Sequence, residues 1–210
     1  MEIEVKYAIP NKETADAIWE DPEIADMSDI STSEKLVMKA VYFDTEDYTL
    51  SNHNIALRVR VEGERTFAAL KWGGSAQDGF HEREEVNVPV SGEESFIAPE
   101  PDMFKESADG LDLIELIGKK PLVNMLETRF LRKRVRLNYK NSIFELAVDT
   151  GDIVTDAGNR DILELEIELF AGSEADLQEL GERIADKYSL KPENMSKFAR
   201  GLELIKSVNN

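Results

Sequence analysis

Residues 162–170 read I-L-E-L-E-I-E-L-F, with glutamates at three alternate positions between apolar residues. An extended segment directs alternate side chains to opposite faces, so Glu164, Glu166 and Glu168 share one face of a predicted strand. Neighbouring carboxylates on that face lie about 6–7 Å apart and repel each other by about 2–2.5 kcal/mol at an effective dielectric constant near 20. We therefore expect cationic groups opposite this strand.

Basic residues repeat this alternation with the opposite charge in other segments. They stand in I-A-L-R-V-R-V at residues 55–61 and in F-L-R-K-R-V-R-L at residues 130–137. The N-terminal segment E-I-E-V-K at residues 2–6 places two glutamates and a lysine on one face. Whole predicted strands are therefore sorted by the charge of their polar face.

The composition restricts the fold and the class of partner. The chain has 210 residues, of which 41% are hydrophobic, enough for one domain over residues 1–210 with a sizeable core. Its net charge of −18 argues against general binding to nucleic acids or to anionic membranes. A basic pocket sheltered inside an acidic shell is still compatible with that charge. Any anion site is therefore expected to be local.

Several classes of chemistry have no basis in the sequence. Cysteine is absent, which excludes disulfides, zinc thiolate sites and thiol catalysis. The sequence contains no G-x-S-x-G motif, no P-loop and no dinucleotide glycine fingerprint. We interpret the isolated His53 and His81 as structural or exposed. The first residues show no signal sequence and no segment is apolar enough to cross a membrane, so we expect a cytoplasmic protein.

Hydrophobic periodicity predicts a mostly antiparallel sheet. Alternation indicates eight strands, at residues 2–9, 36–44, 55–62, 65–72, 79–90, 130–139, 142–154 and 160–170. Short turns join neighbouring segments, as antiparallel hairpins require. Helical periodicity predicts helices at residues 12–20, from Ser173 to a break near Pro192, and at 196–207. We also expect short or kinked helices within residues 111–127 and a surface loop over residues 91–110.

Eight antiparallel strands can close into a barrel. If the charged faces point inward, the lumen is a polar tunnel and helices or water cover the apolar outer faces. Inward charges are tolerable only where opposite charges, water and a ligand offset their desolvation. The alternative is an ordinary half-buried sheet whose charged face lies in solvent.

The two kinds of charged face suit a metal-bound polyphosphate. Arginine presents a planar fork of donors that fits phosphate oxygens, and carboxylates are hard ligands for Mg²⁺ or Mn²⁺. In the last predicted helix, Lys197 and Arg200 are neighbours on a face about 140° from the apolar residues, so packing of the apolar side leaves them free. Solvated surface charge is the alternative explanation for that pair.

The order of motifs along the chain resembles the CYTH superfamily, the triphosphate tunnel metalloenzymes. The E-x-E-x-K signature is present at residues 2–6. It is followed by Y-F-D-T at 42–45, L-R-V-R at 57–60, G-F-H-E-R at 79–83, A-V-D-T-G at 147–151, E-L-E-I-E at 164–168 and S-K-F-A-R-G at 196–201. The chain is most similar to the bacterial inorganic triphosphatase branch. The resemblance implies an α+β fold, an eight-stranded antiparallel β-barrel with flanking helices.

The resemblance also implies a function, the divalent-metal-dependent hydrolysis of inorganic triphosphate to diphosphate and phosphate, with Mg²⁺ or Mn²⁺ as cofactor. The implied catalytic residues are Glu4, Lys6, Asp149 and Glu166. The implied substrate-binding residues are Lys6, Arg58, Arg60, Lys71, Arg83, Arg132, Arg134, Lys197 and Arg200, of which Arg134 is less secure than Arg132. The implied metal ligands are Glu2, Glu4, Asp149, Glu164, Glu166 and Glu168.

Several alternatives stay open at this stage. The same tunnel could hydrolyse thiamine triphosphate or a nucleoside triphosphate, or cyclise ATP, and these reactions would require a pocket for an organic group at one mouth. A non-catalytic polyphosphate-binding or nucleotide-binding module would use the same basic residues without turnover. A homodimer is plausible for barrels of this kind.

Overall fold

Eight strands form one antiparallel sheet that closes on itself in the computed structural model, which describes residues 1–90 and 99–208. The strands are β1 Glu2–Ala8, β2 Ser28–Thr45, β3 Ala56–Glu62, β4 Arg65–Gln77, β5 Phe80–Pro89, β6 Leu122–Tyr139, β7 Ser142–Thr155 and β8 Gly158–Ala171. Their order is β5-β4-β3-β2-β6-β7-β8-β1, and pairing of β1 with β5 closes the barrel. A ninth, two-residue strand, β9 Lys191–Pro192, adds to β1.

Helices occupy the connections between the strands. They are α1 Lys12–Trp19, α2 Pro22–Met27, α3 Thr49–Asn52, α4 Ala108–Ile117, α5 Glu174–Tyr188 and α6 Lys197–Val208, with a 3-10 turn at Pro101–Phe104. Side-chain caps define several of their starts, since Ser173 accepts a hydrogen bond from the amide of Asp176 at 3.3 Å and Ser107 accepts one from Gly110 at 3.0 Å. None of the helices in residues 1–90 and 99–208 is long and apolar enough to span a membrane.

The fold class predicted from the sequence is confirmed, with corrections at three segments. The helices expected within residues 111–127 end at Ile117, because β6 begins at Leu122 and pairs with β2 through Thr45. Strand β2 likewise begins at Ser28 and not at residue 36. The loop expected over residues 91–110 is interrupted by the 3-10 turn and by α4, and residues 91–98 lie outside the described part of the chain.

The apolar faces of the strands form the outer wall and are covered by helices. On one side, Leu165 and Ile167 of β8 pack with Leu177 and Leu180 of α5, and all four are fully buried. On the other side, residues of β2, β3 and β4 pack against α4 and Phe104. Because successive side chains of a strand point to opposite faces, the glutamates of β8 are directed into the lumen. The orientation with the charged faces inward is therefore confirmed.

The last helix, α6, packs into one end of the barrel instead of onto its outer wall. Phe198 stacks on Tyr42 of β2 with ring centroids 5.0 Å apart, and Leu202 belongs to the same apolar cluster. Gly201 permits this approach, since an added Cβ would lie 2.5 Å from Leu126 Cδ2. The lumen is thus apolar along β2 and part of β6, where the sequence pattern indicated only charge.

Substitution of Leu165 tests the burial of the outer wall. Leu165→Ala leaves a cavity beneath α5, so we expect it to lower the free energy of unfolding by about 3 kcal/mol. Val37, whose side chain is 72% exposed on the outer face of β2, provides the control, and Val37→Ala should change stability by less than about 0.5 kcal/mol. Urea denaturation measures both values. Equal losses would show that the outer face of β8 is not covered.

Candidate active site in the barrel lumen

The lumen gathers charged side chains from most strands of the barrel and from α6. Strand registers explain this, because directly paired residues of neighbouring strands lie on the same face. Lys6 of β1 is paired with Glu166 of β8, and Arg132 of β6 is paired with Asp149 of β7. The residues that line the space are Glu2, Glu4, Lys6, Met38, Ala40, Tyr42, Ala56, Arg58, Arg60, Lys71, Arg83, Thr128, Phe130, Arg132, Glu166, Ser196, Lys197 and Phe198.

Three carboxylates, Asp149, Glu164 and Glu166, meet on one side of the lumen, and we call them the carboxylate cluster. One oxygen from each lies within 4.8 Å of the others. Asp149 and Glu164 have no exposed surface. The ammonium of Lys197 lies among them, with its Nζ 2.8 Å from Asp149 Oδ2, 2.9 Å from Glu166 Oε1 and in contact with Glu164. The cluster therefore already surrounds a cationic group.

Two arginines complete the neutralisation of this cluster. Arg132 forms a bidentate ion pair with Asp149, with Nε–Oδ1 and Nη2–Oδ2 distances of 2.7 Å, and it also contacts Glu166. Arg200 Nη2 donates to Glu164 Oε2 at 2.6 Å. Burial opposes ionisation of Asp149, but Arg132 and then Lys197 lower its pKa to about 2. Three basic side chains thus face three carboxylates, and burial lowers the pKa of Lys197 to about 7. The expectation that Lys197 and Arg200 are left free is wrong.

The position of α6 is fixed by the segment that precedes it. The amide of Glu193 donates to the carbonyl of Lys6 at 3.0 Å, and the side chain of Asn194 accepts from the amide of Gly79 at 2.8 Å. His81 is buried and its Nε2 lies 2.7 Å from the carbonyl oxygen of Glu193. These contacts tie the start of α6 to β1 and β5, and they agree with the interpretation of His81 as a structural residue.

A second acidic group consists of Glu2, Glu4 and Glu168 on β1 and β8, where Glu4 and Glu168 are directly paired. Lys71 Nζ lies 2.5 Å from Glu2 Oε2, and Lys6 Nζ lies 3.4 Å from Glu4 Oε1. Burial, followed by the charges of Glu2 and Glu4, raises the pKa of Glu168 to about 7. Burial likewise raises the pKa of Glu166, in the carboxylate cluster, to about 7, so neither acidic group is fully compensated.

Three arginines have donors that the protein leaves unused, and we call Arg58, Arg60 and Arg83 the lumen arginines. Arg58 lies 3.5 Å from Glu85 and 3.3 Å from the hydroxyl of Tyr42, and Arg60 lies 3.3 Å from Glu62. The buried Nε atoms of Arg58 and Arg60 have no hydrogen-bond partner within residues 1–90 and 99–208. Burial, with the neighbouring Arg58, lowers the pKa of Arg60 to about 10.

Arg83 is the third member of this set. It lines the lumen and is paired with Glu2 in the strand register, yet no carboxylate of the described chain lies within 4.0 Å of its guanidinium. Arg134 differs from all three. It binds Glu34 at 2.6 Å, Glu62 at 2.8 Å and Glu145 at 3.6 Å, and it does not belong to the lining of the lumen. Its role as a substrate-binding residue stays a prediction.

Both acidic groups have the donor chemistry of a Mg²⁺ or Mn²⁺ site, which favours carboxylate oxygens. In the carboxylate cluster, the ammonium of Lys197 occupies the position that a metal ion would take, so a metal there has to displace it. In the second group, the raised pKa of Glu168 shows an excess of negative charge that a divalent ion would offset. Lys71 Nζ lies 2.5 Å from Glu2 Oε2, so a metal ion bound by Glu2 would compete with a lysine in this group as well.

A further cavity of about 400 Å³ adjoins the lumen and shares Lys71, Arg83 and Phe198 with it; we call it the mouth cavity. Its wall includes Trp72, His53 and the glycine pair Gly73-Gly74, where β4 bulges away from β5. An added Cβ at Gly74 would lie 1.8 Å from the carbonyl oxygen of Glu82, so the bulge depends on glycine. The Gly73-Gly74-Ser75 segment is thus part of a cavity wall within a strand.

Several residues of the site were not selected from the sequence as site residues, among them Tyr42, Glu62, Thr128 and Phe198. Tyr42 and Phe198 stand in quoted motifs, but their stacking joins β2 to α6 across a long sequence separation. Thr128 lies in the part of β6 that the sequence did not assign to a strand. A longer alternation through Leu126, Thr128 and Phe130 is the signal that could have found it.

Comparison with known proteins identifies the family. The CYTH domain family matches residues 1–202, and the chain belongs to it. An inorganic triphosphatase from Haemophilus influenzae is 27% identical over 200 residues, covering 95% of this chain and 54% of the relative. The chain therefore spans about half the length of this curated relative.

Two solved structures have the same fold. A putative adenylyl cyclase from Hippeastrum, described as having a dominant triphosphatase activity, superposes with a TM-score of 0.70 and 19% identity, over 97% of this chain and 96% of that chain. A putative adenylate cyclase from Bacillus halodurans gives a TM-score of 0.56 and 20% identity, over 93% and 94% of the two chains. At these identities the likeness establishes the tunnel barrel and no more.

The pKa of Glu168 predicts a pH dependence of stability. A carboxyl group whose pKa is higher in the folded than in the unfolded protein stabilises the fold at low pH, and this stability is lost as the pH rises from about 4.5 through about 7. In metal-free buffer, we expect Glu168→Gln to have a higher melting temperature than the wild type at about pH 8. The difference between the melting temperatures at about pH 6 and about pH 8 should be smaller in Glu168→Gln than in the wild type. The exposed Glu64→Gln is the control. An unchanged pH difference in Glu168→Gln would contradict the assignment.

Proposed function

We propose that this chain is a divalent-metal-dependent triphosphatase that hydrolyses inorganic triphosphate to diphosphate and phosphate. The observation that carries the proposal is the presence of buried, unused guanidinium donors opposite incompletely compensated carboxylates in one closed lumen. Buried polar groups are normally satisfied, so orphaned donors of this kind indicate the place of a ligand. The resemblance to an inorganic triphosphatase over 95% of the chain supports the same substrate.

We assign the phosphate contacts first to the lumen arginines and Lys71. The guanidinium fork matches phosphate oxygens, and Arg58 and Arg60 hold their own carboxylate neighbours at 3.5 Å and 3.3 Å, longer than a strong charged hydrogen bond. Arg132, Lys197 and Arg200 are engaged by the carboxylate cluster at 2.6–2.8 Å. Their proposed part in binding is to keep that cluster neutral, with direct phosphate contact only after rearrangement.

The proposed metal ligands are Glu2, Glu4 and Glu168, with the carboxylate cluster as a second candidate. When bound, Mg²⁺ or Mn²⁺ would neutralise charge on the phosphate oxygens. Lys6 is buried and lies 3.4 Å from Glu4 and 3.9 Å from Glu166, so it holds the two carboxylates near each other. These roles agree with phosphoryl transfer, in which positioning and electrostatic stabilisation provide most of the catalysis.

Glu166 is the candidate base that orients or deprotonates the attacking water. Burial raises its pKa to about 7, and the charges of Glu4 and Asp149 add to this in spite of Arg132. A group with such a pKa can accept a proton near neutral pH, which suits general base catalysis. Asp149, with a pKa of about 2, is a poor base, and we propose that it positions Arg132 and Lys197.

A second candidate function is the hydrolysis of a triphosphate that carries an organic group. The mouth cavity favours it, because Trp72, His53 and Phe198 provide aromatic surface beside Lys71 and Arg83. Thiamine triphosphate and nucleoside triphosphates have an aromatic ring that could occupy this cavity while the phosphates enter the lumen. Cyclisation of ATP would use the same cavity, and a non-catalytic module would bind without turnover. The predicted homodimer stays a prediction.

A substrate and metal panel tests the proposed reaction. Purified protein should release phosphate from inorganic triphosphate with Mg²⁺ or Mn²⁺ and not in EDTA. Arg83→Gln should lower kcat/KM at least about 100-fold because it removes a phosphate-binding cation. Arg129→Gln is the matched control, since the side chain of Arg129 is 59% exposed and binds Glu127 on the outer wall. Equal activity of the two variants, or no phosphate release by the wild type with either metal, would contradict the proposal.

The two tryptophans of the chain provide a test of the mouth cavity. Trp72→Leu keeps apolar packing but removes the aromatic face, so we expect a roughly tenfold higher KM for ATP or thiamine triphosphate, since stacking on an aromatic side chain contributes about 1–3 kcal/mol. The KM for inorganic triphosphate should not change. Trp19→Leu, in α1 on the outer wall, is the control. A KM that rises equally for all substrates would contradict an organic-group site.

A further inference from the structure

Thr128, in the middle of β6, has a buried hydroxyl group without a hydrogen-bond partner. The residue is 1% exposed, and its Oγ1 contacts no donor or acceptor in the described chain. An unpaired buried hydroxyl destabilises a protein, and a valine of the same branched shape would avoid that cost. Because Thr128 also lines the lumen, a ligand is the natural partner for its hydroxyl.

The strand register places Thr128 beside the lumen arginines. Ala40 of β2 is paired with Arg60 on one side and with Thr128 on the other. Two strand spacings separate the backbones of Arg60 and Thr128, which is about 9.5 Å. Ala40, which lies between them, adds only a methyl group to the lining of the lumen. The next residue on this face of β2, Tyr42, is paired with Arg58.

Three of the unused buried donors therefore belong to one part of the lumen wall, and a fourth, Arg200 Nε, lies on α6. Arg58 Nε, Arg60 Nε and Thr128 Oγ1 are all buried, and none has a partner among residues 1–90 and 99–208. Strands β3 and β6 hold them at fixed positions on either side of β2. An anion placed against this wall would receive two charged donors and one neutral donor, whereas the cations beside the carboxylate cluster are already engaged by carboxylates.

We propose that Thr128 is a substrate-binding residue whose hydroxyl donates a hydrogen bond to a phosphate oxygen of the chain held by Arg58 and Arg60. The assignment rests on the proposed function for the identity of the ligand. It also orients that ligand, because the phosphate group bound by Thr128 lies against β2 and β6, away from the acidic strands. A neutral donor at this position adds directionality without adding to the repulsion between the arginines.

Paired substitutions separate this role from a structural one. Thr128→Val removes the hydroxyl and keeps the branched shape, and Thr128→Ser keeps the hydroxyl and removes a methyl group. Binding of inorganic triphosphate is measured by calorimetry in EDTA, so that no turnover occurs. We expect Thr128→Val to weaken binding about 10- to 100-fold, as for the loss of a hydrogen bond to a charged group, and Thr128→Ser to stay within about threefold of the wild type.

The melting temperature of the ligand-free protein is the second readout. Loss of an unpaired hydroxyl should leave Thr128→Val at least as stable as the wild type, whereas a structural role for the hydroxyl predicts a loss of stability. Wild-type affinity in Thr128→Val, or equal weakening in both variants, would overturn the assignment. A wild type that binds triphosphate but releases no phosphate with Mg²⁺ or Mn²⁺ refutes the triphosphatase alone. A wild type that does not bind triphosphate overturns the Thr128 assignment, and one that in addition releases no phosphate with Mg²⁺ or Mn²⁺ overturns both.

Discussion

The structure depends on the pairing of buried carboxylates with buried cations inside the barrel. Asp149 and Glu164 have no exposed surface, and their charges are tolerated because Arg132, Lys197 and Arg200 lie against them. Loss of one partner from such a pair leaves an uncompensated charge and typically destabilises a protein by about 3–5 kcal/mol. The same contacts hold β6, β7 and β8 to α6. The position of the last helix therefore depends on the ion pairs of the lumen.

The function follows from where this pairing is incomplete. Glu166 and Glu168 on β8 have pKa values raised to about 7, and Arg58 and Arg60 on β3 have unused donors. A divalent ion near the glutamates of β8 and a chain of phosphates near the arginines of β3 would supply the missing charges. Substrate and metal thus replace interactions that the protein does not make by itself, which is the preorganised electrostatic environment expected for phosphoryl transfer.

Much of the barrel could be predicted from local pattern, because a two-residue period defines both faces of a strand and short turns define antiparallel neighbours. The first half of β6 was missed, since its pairing with β2, which reaches from Leu122 to Leu137, is tertiary. The periodicity of α6 predicts its apolar side correctly, but it does not predict that this side packs inside the barrel. Phe198 and Leu202 pack inside the barrel, so Lys197 and Arg200 are buried instead of free. Contacts of this kind depend on strand order, which local sequence does not encode.

The most direct measurement of the central claim is a crystal structure of the protein with inorganic triphosphate and Mn²⁺, with the metal located by anomalous scattering. The account predicts triphosphate inside the lumen, in contact with Arg58, Arg60 and Thr128, and Mn²⁺ bound to carboxylates of β1 and β8. Triphosphate bound only on the outer wall, or a lumen without either ligand at saturating concentrations, would contradict it.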